Sequence, residues 1–261
     1  MVVRTGGTAV LALMMELGLA ASANADEAYA KNKMKAMSDY MAAQQTISFG
    51  YDADLEIVTP DHQKLMLANS GTVDLSRPNK IRATRDGGFS NVEMIFDGKT
   101  LTVLHKNAND YAQADVPGTL DHLIDELRDK FHKPVPGADL LLSNIYDQLM
   151  PQVTDTKDLG SGVIGGTECD HFAFRTQEVD WQIWIAQGDR PYPCRYIVTT
   201  KLFDQGPQSQ GARWIQAAAA ALARSQARGH HAYNAEERHV FRSNGGSCRL
   251  GILIGAPGPE R

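Results

Sequence analysis

Between Thr167 and Lys201 the chain reads TECDHFAFRTQEVDWQIWIAQGDRPYPCRYIVTTK, and few folds accommodate such a stretch. Residues 171–175, 181–185 and 195–201 are β-branched and aromatic runs. They are separated by the polar turn 176–178 and by Gly188-Asp189-Arg190-Pro191. Side chains alternate across a strand, so Phe172 and Phe174 share one face, as do Trp181, Ile183 and Ile185. His171, Arg175 and Gln182 point to the other. The pattern predicts three antiparallel strands with one apolar face, and a face of that kind must be covered by another layer.

The strictest alternation runs over residues 46–59. Ile47, Phe49, Tyr51, Ala53, Leu55 and Ile57 fall on one side, Ser48, Asp52, Asp54 and Glu56 on the other. A long strand of this kind belongs to an antiparallel sheet with one wet face. Residues 64–75 repeat it with Leu65, Leu67, Val73 and Leu75. Runs at 80–85, 91–96, 101–105 and 111–114 continue a meander, punctuated by Arg77-Pro78-Asn79, Asp86-Gly87-Gly88 and Asp97-Gly98.

Helical spacing appears in three places. Residues 26–45 carry Ala30, Met34, Met37 and Met41 as a stripe. After Pro117, Leu120, Leu123, Ile124, Leu127 and Phe131 recur at helical intervals with Thr119 as N-cap. Residues 139–149, stopped by Pro151, predict a further helix with Leu140, Leu141, Ile145, Tyr146 and Leu149 inward. The expected class is α+β: a single strongly curved antiparallel sheet, a half-barrel, capped on its concave face by about three helices.

A net charge of −5 argues against a nucleic-acid partner, since phosphate binding needs clustered Lys and Arg. No apolar run reaches the roughly 18–20 residues that span a bilayer, so the chain is not expected to be transmembrane. Residues 1–25 read as a signal peptide: Arg4 is the positive n-region, residues 9–15 begin an apolar core, and Ala23-Asn24-Ala25 is a cleavage site. Glu16 interrupts that core, and an amphipathic N-terminus is the alternative. Residues 26–208 form the expected domain. Residues 209–261 change in character: seven Arg and three Glu give +4, with no Lys or Asp, leaving −9 for the rest. This tail reads as frame-shifted, partly disordered or otherwise non-native, with divergent sequence as the alternative.

Catalytic signatures are missing. No G-x-S-x-G, H-E-x-x-H, P-loop or C-x-x-C occurs, and His105, His122 and His132 lack metal-ligand spacing. Residues 160–165 match G-x-G-x-x-G formally but precede a strand rather than open a helix, so a flexible turn is expected. Asp170-His171 with Asp180 is an acid–base arrangement in outline only, His171 being a polar-face residue of a strand. The expectation is a protein that is not an enzyme and uses no cofactor or metal.

Cys169 and Cys194 begin the first and third strands of the opening stretch and are the natural disulfide candidates in an oxidising compartment. One intervening strand would separate their Cα atoms by about 9–10 Å, beyond bridging range, unless a bulge or bend brings them together. Two buried thiols are the alternative.

Glu168-Cys169-Asp170-His171, the run 179–185, Gly188-Asp189-Arg190-Pro191, Cys194 and residues 197–201 together resemble the signature of the DUF2092 family of predicted periplasmic bacterial proteins. That family is similar in fold to the lipoprotein carrier LolA, and the resemblance spans roughly residues 25–208. It implies a LolA-like half-barrel exported to the periplasm, serving as a carrier for a lipid, a lipoprotein acyl chain or another apolar ligand held between sheet and helices. The inward positions expected to line such a cavity are Phe49, Tyr51, Leu55 and Leu67 from the first strands. Phe172, Phe174, Trp181, Ile183 and Tyr196 come from the last ones, and Leu123, Leu127 and Ile145 from the helical lid. The alternative is an envelope protein-interaction or stress-sensor module with the same scaffold, a packed core and no ligand.

Overall fold

The computed structural model describes residues 9–58, 63–88, 90–131, 135, 137–201 and 249–255, with the backbone alone at 9–25, 57–58, 90 and 249–255. The described residues form eleven strands, nine on the expected runs with ends shifted by a few residues and two, at 155–164 and 249–255, that were not predicted. They are β1 (Thr46–Val58), β2 (Lys64–Ser76), β3 (Lys80–Gly87), β4 (Ser90–Phe96), β5 (Thr100–His105) and β6 (Asp110–Asp115). The second set is β7 (Asp155–Ile164), β8 (Thr167–Arg175), β9 (Val179–Ala186) and β10 (Pro193–Thr200), followed by β11 (Arg249–Gly255). Three α-helices accompany them: α1 (Ala9–Ala43), α2 (Leu120–Asp129) and α3 (Ile145–Leu149). The protein is therefore α+β, with antiparallel strand ladders and three helices.

Antiparallel pairing runs through two blocks, β1 to β6 and β7 to β10. The expectation of one wholly antiparallel sheet is corrected at their junction. There β11 pairs in parallel with β1 on one side and with β10 on the other. The strand order β6-β5-β4-β3-β2-β1-β11-β10-β9-β8-β7 is open, with β6 and β7 at its edges. Because β11 runs with both neighbours, β1 and β10 are co-directional across the junction.

Three other expectations are corrected. The 139–149 helix is broken into a 3-10 turn (Ala138–Leu141) and α3. Leu142 turns extended there, and Ser143 bonds Asp121 of α2 through both its amide and its hydroxyl, which holds the chain out of helical register. Residues 160–165 are not a flexible turn: all but Gly165 belong to β7, which pairs with β8 through a register shift between Asp158 and Ser161. The turn sits one step later at Gly165-Gly166, where φ values of 57° and 85° suit glycine and the twist of a hairpin. Helix α1 starts at Ala9 rather than Asp26, so its backbone runs through Ala23-Asn24-Ala25 without a break.

Two packed clusters lie between helices and strands. The first joins Ala30, Met34, Met37 and Met41 of α1 to Ile145 and to Phe172, Trp181, Ile183 and Tyr196. The second joins Leu120, Leu123 and Leu127 of α2 to Val73, Leu75, Ile81, Phe96 and Leu101. Ile47, Phe49, Tyr51 and Ile124 touch both and form the seam. The methionine stripe of α1 is core packing: Ala30, Met34 and Met37 are fully buried. Thr119 caps α2 as its spacing predicts, its hydroxyl accepting from the His122 amide at 3.2 Å.

Candidate functional site

The twelve inward positions separate by burial. Leu123, Leu127, Ile145, Phe172, Phe174, Trp181, Ile183 and Tyr196 are buried. Aromatic contacts tie the last block together: Phe174 stacks on Trp181 with centroids 4.1 Å apart, and Trp181 meets Tyr196 edge-on at 6.0 Å. These side chains fill the space beneath α1 and α3. Phe49 and Tyr51 are half-buried at the seam. Leu55 and Leu67 are different: they face one another across β1 and β2, are only half-buried, and belong to neither cluster.

The apolar face therefore continues past its helical cover. Leu65, half-buried, stands beside Leu67 on the same face of β2, and Leu65 pairs with Ile57. On the other flank, the register puts Ile252 beside Ala53 and Ile254 beside Leu55. Val198 of β10, also half-buried, lies in register with Ile254. Leu65 and Val198 thus join the site, together with the β11 backbone, although none of them was among the positions predicted to line it. The signal for β11 is present in Leu250, Ile252 and Ile254, which alternate, but it is masked by the atypical composition around it.

One close backbone approach shapes this end of the sheet. A Cβ on Gly71 would meet the Thr84 carbonyl oxygen at 1.9 Å, so only glycine fits between β2 and β3 there. The Tyr51 ring crosses the space left over and its hydroxyl donates to the Thr84 carbonyl at 2.9 Å. Burial pushes the Tyr51 phenol above its ordinary range. On the polar side of the same strands an open pocket of about 290 Å³ is lined by Asp52, Asp54, Ser70 and Asp86, with Ala53, Ala68 and Asn69.

Asp170, His171 and Asp180 are not brought together. The Asp170 carboxylate is buried and held by Lys33 of α1 at 2.8 Å and by the Gln187 amide at 2.7 Å. His171 lies on the opposite face, stacked on Trp184 at 3.8 Å and bonded to Gln182 at 3.0 Å. Burial pushes its imidazole below the usual histidine range. Asp180 pairs instead with Arg175 at 3.1 Å and Lys201 at 2.8 Å. Among the described residues no group of three or more His, Cys, Asp or Glu side chains is placed to hold a metal ion. His132, His230 and His231 lie outside the described residues.

A family model described as "Predicted periplasmic protein (DUF2092)" matches residues 30–213, most of the chain. The chain belongs to the DUF2092 family. No curated protein matches it. Among solved structures, this DUF2092 protein is similar to lipoprotein LppX of Mycobacterium tuberculosis at 15% identity, over 64% of this chain and 85% of LppX, with a TM-score of 0.44. It is similar to LprF of Mycobacterium bovis at 12% identity, over 68% of this chain and 88% of LprF, with a TM-score of 0.41. Similarity extends to a chain of the MucA/MucB complex of Pseudomonas aeruginosa at 13% identity, over 66% of this chain and 51% of that one, with a TM-score of 0.37. Within the described residues of the DUF2092 chain, no helix is long and apolar enough to cross a membrane.

Proposed function

We propose that this DUF2092 protein is a periplasmic, non-enzymatic carrier for an apolar ligand such as a lipid or an acyl chain. In this reading residues 1–25 direct export, residues 26–208 form a LolA-like half-barrel, and the tail 209–261 contributes β11 between the two strand blocks. The observation that carries the reading is the half-burial of the Leu55–Leu67 pair, which lies on the apolar face of the strands but outside both packed clusters. An acyl chain laid along Leu55, Leu65, Leu67 and Val198 would complete that cover. It would gain about 0.8 kcal/mol for each methylene removed from water, so a handful of buried methylenes gives useful affinity.

The test is binding of a fluorescent fatty-acid probe, paired with lipid mass spectrometry of protein purified from the host envelope. An acyl ligand should copurify, and L55D/L67D should weaken probe binding at least tenfold while the far-ultraviolet circular dichroism is unchanged. A protein that carries no lipid and leaves the probe in solution would instead be read as the envelope interaction or sensor module. The buried state of eight of the twelve inward side chains supports that second reading.

A further inference from the structure

The outer face of β8, β9 and β10 carries a small buried cluster of its own: Cys169, Ala186 and Cys194, covered by Ile164, Trp184 and Tyr192. Cys169 pairs with Ala186 across β8 and β9. In the next ladder Pro193 pairs with Ile185 and Arg195 with Trp184, so Cys194 is the additional residue of a bulge. The bulge swings Cys194 to the outer face and over Ala186, whose methyl group is small enough to leave the path open. The two sulfurs, from strands that are not neighbours, then stand 2.7 Å apart, both cysteines at most 2% exposed. In a regular ladder that contact would be out of reach.

We infer that Cys169 and Cys194 are a modification site, oxidised to an intrachain disulfide that staples β8 to β10 across β9 when the chain folds in an oxidising medium. The oxidant is a disulfide, either of a thiol oxidoreductase or of oxidised glutathione. The thiolate of one cysteine attacks it, forming a mixed disulfide and releasing one thiol of the oxidant. The thiolate of the second cysteine then displaces the other thiol. Two protons leave the cysteines, two electrons pass to the oxidant, and one S–S bond replaces another. Burial raises the Cys169 thiol above its ordinary range, so exchange within the finished fold is slow and the bridge forms before the cluster closes. Export is the natural setting, but the geometry alone sets the outcome in vitro, so the inference stands or falls apart from the carrier reading.

The experiment is refolding of a C248S chain from denaturant in glutathione buffer, followed by alkylation under denaturing conditions. The expected product takes up no label without reductant and two labels after reduction, and its mass is two hydrogens below that of the reduced chain. Its Tm should fall by roughly 5–15 °C on reduction. A C169A/C194A chain, with methyl groups beside Ala186, should show no difference between oxidising and reducing buffer. Label at both cysteines without reductant, or a dimer on a non-reducing gel, overturns the inference. Should C248S fail to fold, peptide mapping of the full chain decides: a 169–194 link supports the staple, and any link to Cys248 overturns it.

Discussion

Asp139 shows how a single buried group sets a pH response. It lies in the first turn of the short 3-10 segment Ala138–Leu141, and its carboxylate accepts from the Tyr196 hydroxyl at 3.4 Å. Burial pushes this carboxyl above its ordinary value of 3.8, and burial with the nearby carboxylate pushes the Tyr196 phenol well above 10.0. A carboxyl raised in the folded state favours folding when protonated. Its contribution is therefore complete below the unfolded value near 3.8 and is lost as pH climbs through the higher folded value. D139N keeps the shape and stays neutral. It should raise Tm at pH 7, with the gain shrinking toward pH 4. A calorimetric series over that range checks it, and a gain independent of pH would count against the assignment. In the sequence Asp139 reads only as the start of a helix over 139–149 and Tyr196 only as an inward position of a strand. Nothing in the spacing of Asp139 and Tyr196, 57 positions apart, announces that they meet.

Helix α1 is joined to β8 by one polar anchor as well as by its methionine stripe. Lys33 approaches Asp170 at 2.8 Å while the Tyr29 hydroxyl donates to the same carboxylate at 3.3 Å, and Tyr29 packs edge-on against Phe172 at 5.9 Å. The hydrogen bond to Asp170 raises the Lys33 ammonium above its ordinary 10.5, so this part of the stability persists below that value and is lost at higher pH. K33M should leave the buried carboxylate without its cation at a cost of about 1–3 kcal/mol, with Lys33 part-exposed and Gln187 still bonded. The double variant K33M/D170N should recover part of the loss. Urea denaturation of the single and double variants measures the coupling, and strict additivity would show that the contact contributes nothing. The apolar stripe of α1 and the cap of α2 were legible because each is written in four or five neighbouring residues. The break in the 139–149 helix was not, since it depends on Asp121, which is distant in sequence from Ser143.

At the scale of the molecule, β11 decides how the two strand blocks meet. Its backbone pairs with residues 50–55 of β1 and with residues 195–199 of β10, so removing it leaves two open edges where a continuous ladder stood. A chain ended at Lys201 should lose amide hydrogen-exchange protection in those two segments while the β3–β4 pairing, Ile81 with Phe96, keeps its own. Unchanged protection in β1 and β10 would remove β11 from the architecture. The proposed ligand site depends on the same junction, because Leu55 lies between Leu67 on β2 and the Ile254 position on β11. Truncation and acyl-probe binding should accordingly fail together.

Period-two alternation in β1, β2, β8 and β9, turn chemistry at Asp97-Gly98, and the helical stripes are local properties, and local sequence was enough to determine them. It determined which side of each strand is apolar as well, and hence most of the core. Tertiary structure alone decided how far the helices reach along that apolar side, which left Leu55 and Leu67 half-covered while Phe172 and Ile183 are sealed. It also decided that a bulge brings Cys194 to Cys169, and that β11 enters in parallel between two blocks. The physical reason is common to all three. Alternation specifies a side chain's face and says nothing of its neighbour on the next strand but one, which depends on register, bulges and the order in which distant strands pair.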